Sequence, residues 1–186
     1  MKRAIFLDRD GVLDELVFYE SSGEWEAPRY VSDLQMLGVN ASLKRLVDAG
    51  WLLFIVTNQP SHAKGKTSRD NLESVHAEVL RHLDGLITRG YVCFHQADDG
   101  CDCRKPSPRF LREAAQEFDV DLSQSWMIGD QDSDLACGRA ARTRVALVEN
   151  PRSANKRGAI TPEVRGENLD QVIAAIERFP TSSPPP

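Results

Sequence analysis

No apolar run in this sequence comes near the roughly 20 residues that a membrane-spanning helix needs. The first apolar run, in MKRAIFLDRDG, is cut by Asp8, so no export signal is read there. A basic excess is also missing. The net charge is −5 over 186 residues, which speaks against a bulk nucleic-acid binder. Cysteine is scarce, four in all, yet three of the four stand in CFHQADDGCDC, residues 93–103. There is no internal repeat and no shift of composition that marks a second domain. These absences lead to the expectation of a cytoplasmic protein with neither membrane nor nucleic acid as partner. Thiols stay reduced in that compartment, which weakens a disulfide reading of residues 93–103.

What the sequence does contain is ordinary in bulk and ordered in pattern. Hydrophobic residues make up 41% and charged residues 27%, enough to bury a core without covalent help. Five apolar runs stand out: RAIFLD (3–8), WLLFIVTN (51–58), YVCFH (91–95), SWMIGD (125–130) and RVALV (144–148). They alternate little, as strands buried on both faces do. Helical patterns separate them. Asn40 is placed to cap a helix that ends at Gly50, Thr67 or Ser68 opens another, and Ser107-Pro108 precedes a third. DSDLACGRAA reads as a short helix, and Asn168 caps LDQVIAAIERF. Strand–helix alternation predicts an α/β fold: a parallel sheet flanked by helices, as one domain over residues 1–179. The tail PTSSPPP, residues 180–186, has nothing to bury and is expected to be disordered.

In open parallel sheets, ligands bind at the carboxyl ends of the strands. The polar residues found there are Asp8 and Asp10, then Thr57 and Asn58, then Arg104 and Lys105, then Asp130, Asp132 and Asp134. Each alone has a plain reading as a turn, a cap or a solvated charge. Together they suit a hard divalent cation beside a phosphate, since Mg²⁺ takes a few carboxylates and leaves positions for water and phosphate oxygens. Cys93, His95, Cys101 and Cys103 supply three thiolates and an imidazole, a structural zinc set with no open position for catalysis. Cys137 reads as a small core residue, and His62, His76 and His82 as packing or surface residues.

FLDRDGVLD, FIVTN, Lys105 and IGDQDSD resemble the four motifs of the haloacid dehalogenase (HAD) superfamily, in order, from residue 3 to 148. DRDG, TNQ and CDCRKP resemble more narrowly the branch that holds heptose bisphosphate and histidinol-phosphate phosphatases. The resemblance implies a Rossmann-like HAD fold with a zinc loop before Arg-Lys-Pro. It implies a phosphomonoester hydrolase with Asp8 as nucleophile and Asp10 as general acid–base. Mg²⁺ would be held by Asp8, the backbone carbonyl of Asp10 and Asp130. Thr57 and Lys105 would bind the phosphoryl oxygens. Asn58 would position substrate or the Asp10 region, and Asp134 would support Lys105 or the metal. Neighbours on an extended chain face opposite ways, so Arg9 is expected to point away from the site. A silent binding module on the same fold would tend to lose one of the two acids, and both are present.

The chain departs from that branch at Pro60-Ser61-His62, where Ser-Gly is usual after Asn-Gln, and at Gln131, where some relatives carry Lys. There is no room for a large cap domain. The aromatic segment 15–30 is expected to act as a lid. A second phosphate, as in a heptose bisphosphate, would call on Arg104, Lys64 and Lys66. The amine of histidinol phosphate would call on Glu15, Glu20, Glu24 or Glu26. The phosphorylated sugar, a precursor of lipopolysaccharide or capsule, is the preferred expectation, and a monomer the expected state.

Overall fold

Burial of the apolar runs on both faces decides the architecture. In the computed structural model, which describes residues 1–180, they form five strands of a six-stranded parallel sheet. Its order is β5 (Arg89–Cys93), β4 (Leu52–Asn58), β1 (Ala4–Leu7), β6 (Trp126–Gly129), β7 (Arg144–Val148) and β8 (Val164–Gly166). β1 lies at the middle and pairs in register with both β4 and β6. Its four residues are all buried, and they part by turns. Ile5 and Leu7 enter one apolar cluster with residues of α1 (Asn40–Asp48), α2 (Arg69–His82) and α5 (Leu169–Glu177). Ala4 and Phe6 enter the other, with α3 (Arg109–Phe118) and α4 (Asp132–Ala141). A strand covered on both faces has no polar side to show, which is why the runs read as continuous.

Several boundaries fall as expected. Ser68 caps α2 by accepting from the Asn71 amide, Asn168 caps α5 by accepting from the Gln171 amide, and α4 is DSDLACGRAA itself. Two differ. Asn40 lies inside α1 rather than before it, and its side-chain amide donates instead to the His82 carbonyl. Pro108 is the residue before α3, with the Ser107 hydroxyl accepting from the Arg109 amide at 3.3 Å.

Two features lie beyond the five runs. β8 is three residues long with Arg165 exposed, too short and too polar to stand out. The expected lid is a hairpin, β2 (Val17–Tyr19) and β3 (Glu24–Glu26), turned at Gly23, whose φ of +67° favours glycine. Phe18 packs on Trp25 across the two strands. No helix of the described residues is long and apolar enough to cross a membrane. Of the tail 180–186, all but Pro180 lies outside the described residues.

Candidate active site

β1, β4 and β6 end side by side, and a cleft of about 290 Å³ opens over those ends. Among its lining residues are Asp8, Asp10, Asn58, Arg104, Lys105 and Asp134. The size lies near the lower edge of the range for small-molecule sites. β1 delivers Asp8, β4 delivers Asn58, and β6 delivers Asp130 one residue past its end. Lys105 comes from the loop after β5. Asn58 clasps that loop by its backbone: its Oδ1 accepts from the Lys105 N–H at 3.0 Å and its Nδ2 donates to the Lys105 carbonyl at 3.2 Å.

The Lys105 ammonium is buried and shared. It pairs with Asp8 Oδ1 and Asp134 Oδ1, both at 2.7 Å, and donates to the Val56 carbonyl at 2.7 Å. Burial alone would lower its pKa, but Asp134 and Asp8 outweigh burial and raise it. Two close backbone approaches hold this geometry. At Gly129 a Cβ would lie 2.2 Å from the Cβ of Asp134, and at Gly11, with φ of +86°, a Cβ would lie 2.5 Å from Asp130 Oδ2.

Asp8, Asp130 and Asp134 offer carboxylate oxygens within 4.8 Å of one another. Both Asp130 oxygens are buried without a hydrogen-bond partner. Burial first, then Asp134, pushes Asp130 up to about 7. Burial and Asp134 also raise Asp8 well above the usual carboxylate range, against the pull of Lys105. Oxygen ligands this close, with two of them lacking any donor, fit a hard cation such as Mg²⁺. The Asp10 carboxylate stands apart from this set.

Asp10 is gripped by donors. Its Oδ1 accepts from Arg9 Nε at 3.1 Å and Nη2 at 2.8 Å, and its Oδ2 from Thr57 Oγ1 at 3.1 Å and Gln59 Nε2 at 2.6 Å. Thr57, expected at the phosphoryl oxygens, therefore directs its hydroxyl to Asp10. Arg9 does leave the cleft, as expected, but it returns to Asp10 from behind. Period-two reasoning fails here because β1 ends at Leu7. The chain then makes a tight turn in which the Arg9 carbonyl accepts from the amides of Val12, Leu13 and Asp14.

The cysteine set is drawn together beside this site. Cys93 Sγ lies 3.6 Å from His95 Nδ1, 3.8 Å from Cys101 Sγ and 3.1 Å from Cys103 Sγ. Four ligands about 2.3 Å from a tetrahedral centre would lie about 3.7 Å apart, so the cluster fits zinc. All four cysteines are free thiols. Arg104 leaves this loop toward the cleft, with Nη1 donating to the His95 carbonyl at 3.2 Å.

Other residues sort by position. Lys64 lines the cleft, and so does Lys156, which only the fold brings there from the loop after β7. Lys66 is instead tied to Glu26 at 2.5 Å. Of the lid carboxylates, Glu24 and Glu26 line the cleft, whereas Glu15 pairs with Arg152. The hairpin is fastened at both sides, by Arg152 over the Trp25 ring at 4.4 Å and by Glu26 to Lys66 and Arg29.

The HAD-hydrolase-like family model matches residues 102–170. D-glycero-beta-D-manno-heptose-1,7-bisphosphate 7-phosphatase of Pseudomonas aeruginosa is 34% identical over 177 residues, covering 92% of this chain and 94% of its own. The protein of the same name from Helicobacter pylori strain 26695 is 32% identical, over 80% of this chain and 86% of its own. The crystal structure of D,D-heptose 1,7-bisphosphate phosphatase from B. bronchiseptica, complexed with magnesium and phosphate, aligns with a TM-score of 0.81. It is 27% identical and covers 95% of this chain and 98% of that one. A cleft of strand-end aspartates around a buried lysine, on a fold and sequence shared with these phosphatases over nearly their whole length, makes this chain a member of the HAD hydrolase superfamily.

Proposed function

We propose that this protein removes one phosphate from D-glycero-D-manno-heptose 1,7-bisphosphate, the 7-phosphate, on the way to a lipopolysaccharide or capsule precursor. The observation that carries this reading is one cleft with two kinds of phosphate partner. Lys105 lies beside Asp8 at the strand ends, and Lys64, Arg104 and Lys156 line the same cleft as further cations. The names of the relatives point to the same substrate.

Asp8 Oδ1 is held by the Arg9 N–H at 2.7 Å and by Lys105, so Oδ2 is the atom that attacks phosphorus. The bond from phosphorus to the sugar oxygen breaks as the aspartyl-phosphate forms, and Asp10 gives its proton to the departing alkoxide. Asp10 then takes a proton from water, whose oxygen attacks phosphorus and restores the Asp8 carboxylate. Lys105 offers a fixed positive charge to the phosphoryl oxygens. Asp8, the Asp10 carbonyl and Asp130 would hold Mg²⁺, which would supply positive charge for those same oxygens. Cys93, His95, Cys101 and Cys103 would hold Zn²⁺ in a closed set that would brace the loop bearing Arg104 and Lys105. The protein acts as a cytoplasmic monomer in this reading.

The test is kcat/KM with Mg²⁺ on heptose 1,7-bisphosphate and on histidinol phosphate, side by side. The expected preference for the sugar is about 100-fold, the worth of two charge-assisted hydrogen bonds. One phosphate should be released per sugar. A preference for histidinol phosphate overturns the substrate assignment, and no release from either overturns the activity.

A further inference from the structure

We propose that Arg9 is a positioning residue for the reaction. From behind the turn after β1, its guanidinium fixes the plane of the Asp10 carboxylate, and Asp14 anchors Arg9 in turn. The inference rests on the reading of Asp10 as general acid–base given above.

Arg9 is fully buried, one of the largest side chains with no exposure at all. Asp14 is equally buried, with its Oδ2 3.4 Å from Arg9 Nε. The turn itself sets the two carboxylates around the cation: the Gly11 amide donates to the Asp14 carbonyl at 2.8 Å, and Asp10 and Asp14 are bridged. As a stability device this cluster is poor. Arg9 Nη1 and both Asp14 oxygens have no hydrogen-bond partner, and burying charge so incompletely costs more than apolar filling of the same volume.

As an orienting device it fits. A guanidinium is planar and always charged, and here two of its nitrogens meet one oxygen, Asp10 Oδ1, while Thr57 and Gln59 hold Oδ2. Arg9 on Oδ1 and the Gln59 amide on Oδ2 fix both side-chain torsions of Asp10, and the Thr57 hydroxyl, which can accept as well as donate, leaves Oδ2 able to carry the proton. The lining of the cleft includes Asp10 but not Arg9, so Arg9 acts only through the carboxylate that it holds. A misplacement of about 1 Å in a reacting group costs roughly 100-fold. The loss should appear only where the proton matters. An alkoxide needs protonation to leave, whereas a nitrophenolate leaves without it.

The experiment measures kcat/KM with Mg²⁺ on benzyl phosphate and p-nitrophenyl phosphate, which are similar in shape and differ in leaving-group basicity. This quantity covers the steps through phosphoryl transfer to Asp8, so later hydrolysis does not enter. Arg9→Met should lose about 100-fold on benzyl phosphate and less than about fivefold on p-nitrophenyl phosphate. Arg9→Lys keeps the charge without the fork and should fall between wild type and Arg9→Met on benzyl phosphate. If Arg9→Met does not fold by circular dichroism, Arg9→Lys and Asp14→Asn carry the same comparison, with about tenfold expected on benzyl phosphate alone. Equal losses on both esters, or no loss on benzyl phosphate, overturn the positioning role. Asp10→Asn separates the two levels. If it discriminates between the esters and the Arg9 variants do not, only the role of Arg9 falls. If Asp10→Asn does not discriminate either, the acid role of Asp10 fails as well.

Discussion

Side chains suited to metal gather at two places in this molecule, and the two differ in what they leave open. At the ends of β1 and β6, three buried aspartates crowd together, and two oxygens of Asp130 have no donor. At the end of β5, three thiols and an imidazole converge at distances that close a tetrahedron. The first set is short of positive charge and lies beneath a cleft, so a cation there keeps room for a phosphate. The second set supplies four ligands, so a metal there would have a closed shell and would hold a loop while offering nothing to a substrate. On the function proposed above, one sequence separates chemistry from bracing. The connection between the two is short, because Arg104 and Lys105 follow Cys103 directly.

The strongest way to break this division is at the nucleophile. Asp8→Asn should lower phosphate release by about 10⁴-fold or more while the chain stays folded, by assay with Mg²⁺ and by circular dichroism. Activity near wild type would place the chemistry elsewhere. Cys101→Ser should have a smaller and different effect. Zinc should fall from one per chain by metal analysis, and KM should rise about tenfold, the worth of one charge-assisted hydrogen bond from Arg104, with kcat within about threefold. A loss confined to kcat would mean that the cysteine set takes part in the reaction. Trp25→Ala loosens the hairpin from Arg152 and should raise KM only a few-fold, since a cation–π contact at an exposed site is worth about 0.5–1 kcal/mol.

The aspartate set also predicts a pH dependence. Asp130 has an ordinary value of 3.8 and is held at about 7 in the fold, by burial first and then by Asp134. Between those values the folded chain binds more protons than the unfolded one, so stability without metal declines as pH rises through that window. Mg²⁺ binds the ionised form and offsets the decline. Thermal melts should therefore show stabilisation by Mg²⁺ at pH 8 and little at pH 5. His76 has the opposite sign. Burial first, then the Arg9 charge, lowers it from 6.5 to about 4, so its contribution is lost as pH falls through that interval.

Most members of the two clusters stand out in the sequence, for different reasons, although Asp134, expected to support Lys105 or the metal, lies within the aspartate cluster itself. Cys93, His95, Cys101 and Cys103 are close along the chain, so their spacing alone suggests a ligand set. Asp8 and Asp130 are far apart in sequence, but each follows a four-residue strand of the same kind, and a parallel sheet brings such ends together. The contacts that local sequence does not encode depend on the path of the chain after a strand ends. Arg9 turns back on Asp10 because the backbone leaves the extended form at Leu7, where alternation no longer applies. Gln59 stands next to Asn58 in the sequence, but nothing local tells that its amide reaches Asp10. Lys156 enters the cleft from the loop after β7, which no pattern in residues 149–163 announces. The hairpin of β2 and β3 and the strand β8 were too short for period-two reading, at three residues each.

The division of labour between the two sets is tested most directly by dialysing the protein against a mild chelator and following zinc content and phosphatase activity together. The expected result is one zinc retained per chain, no activity, and full recovery on adding Mg²⁺ alone. Activity that persists without Mg²⁺ and falls in step with zinc would contradict it.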